Sequence, residues 1–299
     1  MGSFGVTGTD RRLFCFGLGY SARRLAEELA AQGWLIAGTC RDPKLYDQLI
    51  SQGYDVWLFD RDTVLPSDCD ALDRATHILS SVPPDEDGDP VIDLAGPRLR
   101  MCSKLIWGGY LSTTGVYGDT AGKWIDESAA LKPTNARSRR RALAEKAWMK
   151  QFAEYELPPP HIFRLAGIYG PGRSAIDTVR AGHAHRIDKP GHAFSRIHVD
   201  DLVAILRVSM GLSRSGAIYN VCDDEPAPQE QVIAYACELL GVDVPPLIPF
   251  EDADLSEMAR SFYADNRRVR NERVKSVHGL RLQYPTYREG VRSLANLVK

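Results

Sequence analysis

Short apolar runs alternate with helical-period stretches from Leu13 to about Leu165, and this alternation constrains the fold more than any other feature of the chain. Leu13–Phe16 reads as a strand, Gly17–Gly19 breaks it, and Ser21–Gln32 carries Ala22, Leu25, Ala26 and Leu29 on one helical face. Trp34–Cys40, Asp55–Phe59, His77–Ser81, Leu105–Ser112 and His161–Leu165 follow as further strands. A helix opens at Asp42-Pro43, an N-cap carboxylate followed by a proline with helical φ, and closes at Gly53. A long Ala- and Arg-rich helix runs over Arg137–Tyr155 and is stopped by the prolines at 158–160. Strand, helix, strand at this spacing implies right-handed crossovers and an α/β fold built on a doubly wound parallel sheet.

Such sheets bind ligands at the carboxyl ends of their strands. That rule puts Gly17–Ala22, Arg41, Asp60, Ser80–Pro83 and Ser112–Tyr117 along one rim. Beyond Leu165 the chain turns Gly- and Pro-rich, with helices expected at about Asp200–Met210, Gln229–Leu240 and Tyr287–Val298. The expected organisation is a loose leader over 1–10 and a nucleotide-binding domain over 11–166. A smaller C-terminal substrate domain, a cap, covers 167–299, and about 195–222 returns to the first domain.

The turn after the first strand reads G-x-G-x-x-A. Gly17 allows the tight bend, Gly19 a close backbone approach to a pyrophosphate, and Ala22 close packing of helix on strand. With Tyr20 and Ser21 these residues form a candidate dinucleotide site on a Rossmann fold, completed by Ser80, Ser81, Val82 and Ser112 on the rim. Arg41 ends the second strand, where an acid would suit the ribose hydroxyls of NAD. An arginine there suits a 2′-phosphate, so NADP(H) is expected, and the neighbouring Asp42 leaves NAD open. Asp60 ends the third strand, as an adenine contact or as a loop carboxylate.

The composition is that of an ordinary globular chain, 44% hydrophobic and 25% charged, with a net charge of -2, which excludes the basic face a nucleic-acid partner needs. Six scattered cysteines without a C-x-x-C pair suggest a reduced, cytoplasmic protein. No stretch reaches the roughly 20 apolar residues of a membrane span. His183, His185 and His192 are too loosely spaced for a metal site, so none is expected.

Four further segments carry a family resemblance. Ser112-Thr-Thr-Gly-Val-Tyr-Gly118 resembles the S-[ST]-x-x-V-Y-G motif of the extended short-chain dehydrogenases/reductases, the NAD(P)-dependent epimerase/dehydratase-like kind. Arg164–Arg173, Ser195–Leu202 and Tyr219–Pro226 resemble that family's R-x-x-x-[IV]-Y-G-P-G, F-I-H-V-D-D-[LV] and Y-N-[IV]-x-[DG]-D-x-P segments, in the same order. The resemblance implies a Rossmann domain with a substrate domain, Leu165 and Ile168 beside the cofactor, a small sugar-nucleotide-like or other polar substrate, and a homodimer. It also implies a Ser/Thr hydroxyl, here Thr113, and a Tyr-x-x-x-Lys proton relay.

The relay is where the chain departs. Anchored on Ala144-Glu145, the Tyr position holds Arg137 and the Lys position Arg141, in the run Arg-Ser-Arg-Arg-Arg. A guanidinium stays protonated and cannot act as a general base. Arg137 and Arg141, at i,i+4 spacing, could instead clamp a phosphate or carboxylate. Tyr117 and Tyr169 are candidate substitute acids, against the alternative that both rings pack. Asp89 reads as a helix cap, with a catalytic-polar role as the weaker alternative. Two functions stand: an oxidoreductase or epimerase/dehydratase on a small anionic or polyhydroxylated substrate, and a non-catalytic NADP(H)-sensing regulator.

Overall fold

The computed structural model describes residues 11–211 and 216–296, so the expected leader over 1–10 lies outside the described residues. In chain order the first elements are β1 (Arg12–Phe16), α1 (Tyr20–Ala30), β2 (Leu35–Cys40), α2 (Pro43–Ser51), β3 (Asp55–Leu58), α3 (Asp70–Asp73), β4 (His77–Ser80), α4 (Pro90–Leu99) and β5 (Trp107–Thr113). There follow β6 (Trp124–Ile125), α5 (Ala136–Glu154), β7 (His161–Leu165), β8 (Gly167–Tyr169), α6 (Ala175–Arg180), β9 (Arg186–Asp188), β10 (Arg196–His198), α7 (Val199–Met210) and β11 (Ile218–Val221). The last are α8 (Gln229–Leu240), β12 (Leu247–Pro249), α9 (Glu257–Ala264), β13 (Arg268–Val269), α10 (Glu272–His278) and α11 (Tyr287–Asn296).

All six strands expected up to Leu165 are present, each within two residues of its expected ends. With β11 they form one seven-stranded parallel sheet in the order β3-β2-β1-β4-β5-β7-β11. The order reverses direction between β1 and β4, the switch point of a doubly wound fold. The pairing Phe16↔Ser80 brings the ends of β1 and β4 side by side, so the turns that follow them share one edge.

The described residues divide into two compact units, 11–112 with 139–163, 206–211 and 216–218, and 113–138 with 164–205 and 219–296. In the first, Phe14, Phe16, Ile78, Tyr110, Trp148, Phe152 and Ile162 form the core. Two glycines in β5 make room for aromatic rings: a Cβ on Gly108 would stand 2.5 Å from the Phe152 ring, and one on Gly109 2.3 Å from the Trp107 indole. In the second unit, Tyr169, Ile176, Val232, Ala236, Tyr287, Val291 and Leu294 pack α6, α8 and α11 together.

Helix α4 escaped the periodicity reading because Pro97 sits inside it, but Asp89 announces it. The Asp89 carboxylate accepts the N–H groups of Val91 (3.0 Å) and Ile92 (3.2 Å), and its other oxygen accepts Trp148 Nε1 at 3.1 Å. Asp89 is therefore a buried cap, and burial pushes its pKa up.

Candidate functional site

The first unit carries the glycine turn. Gly17 takes φ +83°, which L side chains rarely adopt. Its N–H donates to Thr39 Oγ1 at 2.9 Å, and its carbonyl accepts Ser81 Oγ at 2.6 Å. Ser81 thus holds the turn and lies close enough that a Cβ on Gly17 would stand 2.9 Å from its hydroxyl. Gly19 is different: its φ is ordinary, and a Cβ there would meet nothing within 4 Å. It precedes α1, whose N-terminus has no side-chain cap and no acid in its first turn. The positive end of a helix dipole lies there without a side-chain cap, and the space beside Gly19 is open, an arrangement suited to a phosphate. Ser21 and Ala22 are buried under the helix and Tyr20 is half-buried at its start.

Arg41 follows the end of β2, is exposed, and has no ionic partner among the described residues. Asp60 lies two residues past β3, and its Oδ1 accepts the N–H groups of Asp62 (2.9 Å) and Thr63 (2.8 Å). That carboxylate builds its own turn. Beside it, Arg61 pairs with Asp85 and Asp93, both at 2.8 Å, tying the loop after β3 to the segment before α4 and to the first turn of α4 itself. This clasp was not anticipated, since its partners lie 24 and 32 residues further on.

At the second half of the rim, Ser80 is fully buried and its hydroxyl has no partner among the described residues. Ser112 donates to Glu145 Oε1 at 2.5 Å, a buried pair. Arg141 projects from α5 to the ends of β4 and β5: its Nη1 donates to the Leu111 carbonyl (3.0 Å), the Tyr110 hydroxyl (3.0 Å) and the Val82 carbonyl (3.3 Å). Its guanidinium lies over the Tyr110 ring at 5.4 Å. Burial pushes the Tyr110 phenol up, so it stays neutral. Glu145 and Tyr110 were not singled out as site residues. Glu145 could have been, because it stands one helical turn beyond Arg141.

The second unit carries the other candidates. Thr113 accepts the Gly115 N–H at 3.1 Å, capping the 3-10 turn Thr114–Tyr117. Tyr117 is buried; its hydroxyl donates to Asn220 Oδ1 (2.7 Å) and accepts Arg164 Nη1 (2.9 Å). Burial raises its pKa, with the guanidinium opposing, and both hydroxyl bonds end on fixed groups. A tyrosine held this way packs and braces its unit. Tyr169 is likewise buried, its phenol pushed up by burial and then by Asp223. Arg137 is exposed and its guanidinium covers the Phe262 ring at 4.6 Å. Leu165 is buried at the end of β7, and Ile168 is half-buried in β8, paired with Ile197. Asp201 accepts the N–H groups of Gln283 (2.7 Å) and Tyr284 (2.9 Å), which explains an acid in that motif by structure alone.

Among the described residues no group of three His, Cys, Asp or Glu side chains could hold a metal, and no helix is long and apolar enough to cross a membrane. All six cysteines are free and buried.

The geometry can be set beside known proteins. A protein of unknown function from Silicibacter pomeroyi is 47% identical, with a TM-score of 0.88 over 97% of this chain and 99% of that one. The Thermus thermophilus UDP-glucose 4-epimerase, solved with NAD, has a TM-score of 0.72 at 19% identity, covering 96% and 98%. The Bacillus anthracis dTDP-glucose 4,6-dehydratase, also solved with NAD, has a TM-score of 0.73 at 16% identity, covering 96% of each chain. These likenesses show a shared fold, that of NAD-dependent epimerases and dehydratases. Protein YeeZ of Escherichia coli K12 is 24% identical over 92% of this chain and 97% of its own. No family model matches.

Proposed function

We propose that this is a cytoplasmic NADP(H)-binding protein of the epimerase/dehydratase-like kind. It acts as an oxidoreductase or epimerase on a small polar substrate, sugar-nucleotide-like or anionic, and works as a homodimer. The observation that carries the cofactor reading is the uncapped N-terminus of α1 behind Gly17 and Gly19, with open space where a Gly19 Cβ would stand. The residues fit the group: the turn Gly17–Gly19 and the start of α1 would receive its pyrophosphate, and the exposed Arg41 suits a 2′-phosphate. When bound, the dinucleotide supplies hydride transfer.

The chain's own residues would bind and orient. Thr113 presents a hydroxyl to the substrate oxygen. Arg137 and Arg141 hold charge and, as permanent cations, take no proton. That last property favours a second reading, an NADP(H)-sensing regulator without turnover, because neither relay position can accept a proton.

Calorimetric titration with NADPH and NADH tests the cofactor. NADPH is expected to bind more tightly, and Arg41→Glu to weaken it by about 10- to 100-fold through lost charge-assisted hydrogen bonds. Unchanged NADPH affinity in Arg41→Glu would overturn the 2′-phosphate contact. Thr113→Val separates the two functions: it should abolish turnover and leave cofactor affinity nearly intact, and equal activity removes Thr113 from the chemistry.

A further inference from the structure

The clasp made by Arg61 joins two loops that the sheet keeps apart. Residues 60–63 lead out of β3 and residues 81–88 out of β4, and in the order β3-β2-β1-β4 two strands stand between them. At about 4.8 Å per strand, the roots of the loops lie roughly 14 Å apart. Each loop is first built on its own acid: Asp60 Oδ1 accepts the N–H groups of Asp62 and Thr63, and Asp85 Oδ1 those of Asp87 (3.1 Å) and Gly88 (3.2 Å). Arg61 then spans the gap. Its Nε and Nη2 donate to the two Asp85 oxygens at 2.8 Å each, and Nη2 also pairs with Asp93 Oδ2 at 2.8 Å.

The ends of β1 and β4 flank the switch point, where a doubly wound sheet holds a dinucleotide across its two halves. The clasp starts on the β3 side of that crevice and ends on the β4 side. Its β4 end is rooted at the glycine turn: Ser81, four residues before Asp85, holds the Gly17 carbonyl at 2.6 Å. A second clasp of the same chemistry lies away from the rim. Arg98, in the last turn of α4, donates to the two Asp73 oxygens at 3.0 Å each and to the Pro66 carbonyl. It fastens the same β3–β4 connection to the same helix, about 7.5 Å further along α4 than Asp93. Anchoring of the connection is therefore supplied without Arg61. The Arg61 pairs are partly open to water, 28% exposed on the arginine and 37% and 38% on the two acids, so they can break and re-form in the native state.

We propose that the Arg61 clasp is the gate of the dinucleotide crevice: cofactor enters and leaves only while Arg61 is detached from Asp85 and Asp93. The inference rests on the proposed dinucleotide site and adds to it a control on exchange. A clasp formed equally in the free and bound states raises the barrier in both directions by the same factor, and with no differential interaction it leaves the affinity alone. The clasp thereby sets how long one cofactor molecule stays, whether or not the protein turns over a substrate.

The test is stopped-flow mixing with NADPH, followed by its fluorescence, with release measured by a chase of excess NADP+. Wild type is compared with Arg61→Ala, Asp93→Asn and Arg98→Ala. Expected in Arg61→Ala is a rise of about fivefold in both association and release, the equivalent of one bidentate, partly exposed pair, with the affinity within about twofold of wild type. Asp93→Asn, which leaves both loops and the Asp85 pairing in place, should raise both rates by less. Arg98→Ala should exchange cofactor at the wild-type rates. Unchanged rates in Arg61→Ala and Asp93→Asn overturn the inference. An equal rise in Arg98→Ala also overturns it, since that marks general loosening of the connection. So does faster release without faster association, which marks a direct contact with the ligand. In each of these cases the dinucleotide site stands. Absence of NADPH binding to the wild type removes the site and the inference together.

Discussion

Gly17 and Gly19 belong to one motif, yet the structure gives them unequal stability costs. Gly17 sits at φ +83°, where an alanine loses about 1–2 kcal/mol. The new Cβ would also stand 2.9 Å from Ser81 Oγ and 3.2 Å from Val82 Cγ2. Ser81 cannot swing away freely, because its hydroxyl bonds the Gly17 carbonyl at 2.6 Å, and losing that bond costs about 1 kcal/mol. Gly17→Ala should therefore destabilise by about 2–3 kcal/mol. Gly19 has φ -81° and open space around its Cβ position. A slightly poorer N-cap is offset by a stiffer unfolded chain, so Gly19→Ala should change stability by less than about 1 kcal/mol. Both substitutions should nonetheless weaken dinucleotide binding, the first by distorting the turn, the second by filling the approach to it. Urea unfolding followed by circular dichroism gives the stabilities, and calorimetry gives the affinities. A cost below about 1 kcal/mol for Gly17→Ala would refute the strain argument. Wild-type affinity in Gly19→Ala would show that no phosphate comes close to that backbone.

Other positions can be checked in the same way. His77 is buried between Trp34 and Trp107, and burial holds its pKa down at about 4. Its contribution to stability is complete above about pH 6.5. It is lost as pH falls toward 4, because the unfolded chain takes up a proton that the native chain refuses, for a total of about 3 kcal/mol. His77→Phe should flatten the pH dependence of the urea midpoint over that window, and an unchanged slope would clear His77 of the effect. Tyr117→Phe leaves Arg164 Nη1 and Asn220 Oδ1 without their shared hydroxyl and should cost about 1–3 kcal/mol, read by thermal unfolding; a neutral outcome would mean the network is dispensable. Asp201→Ala strips the acceptor from the N–H groups of Gln283 and Tyr284 and should raise amide exchange at those two positions before it affects β1 or β4.

The sheet was legible in the sequence because most of its strands up to Leu165 are apolar runs buried on both faces and bounded by turn residues, with only the edge strand β3 half-exposed. The elements that were not read are short or locally contradictory. α4 contains Pro97; β6, β8, β9, β10, β12 and β13 span two or three residues each. No periodicity develops over so few positions, and their pairing is decided by distant partners such as Trp124 with Arg268. The site divides along the same line. Roles set by local backbone could be read: the Gly17 turn, the Asp89 cap and the Arg41 strand end. Roles set by long-range contacts could not. Nothing near Arg61 announces Asp85 and Asp93, and nothing near Tyr117 announces Asn220, 103 residues away.

The arginines at 137 and 141 then take different meanings. Arg141 keeps the position from which a helix reaches the ends of β4 and β5, and its three acceptors are groups any cation would satisfy there. What changes with an arginine at that position is permanence of charge, which removes any capacity to exchange a proton at working pH. Arg137 is exposed over Phe262 and supplies no hydroxyl, so the proton that a substrate alcohol must lose has no acceptor at that position. Any turnover must therefore draw its base from the substrate, from solvent or from a group still to be identified. Tyr117, whose hydroxyl is bonded on both sides, is a poor substitute. On the proposed reading, a turn open at its helix terminus together with arginines at the two relay positions would preserve dinucleotide binding while withdrawing the usual proton transfer. That is why binding measurements on this protein should precede any screen for substrates.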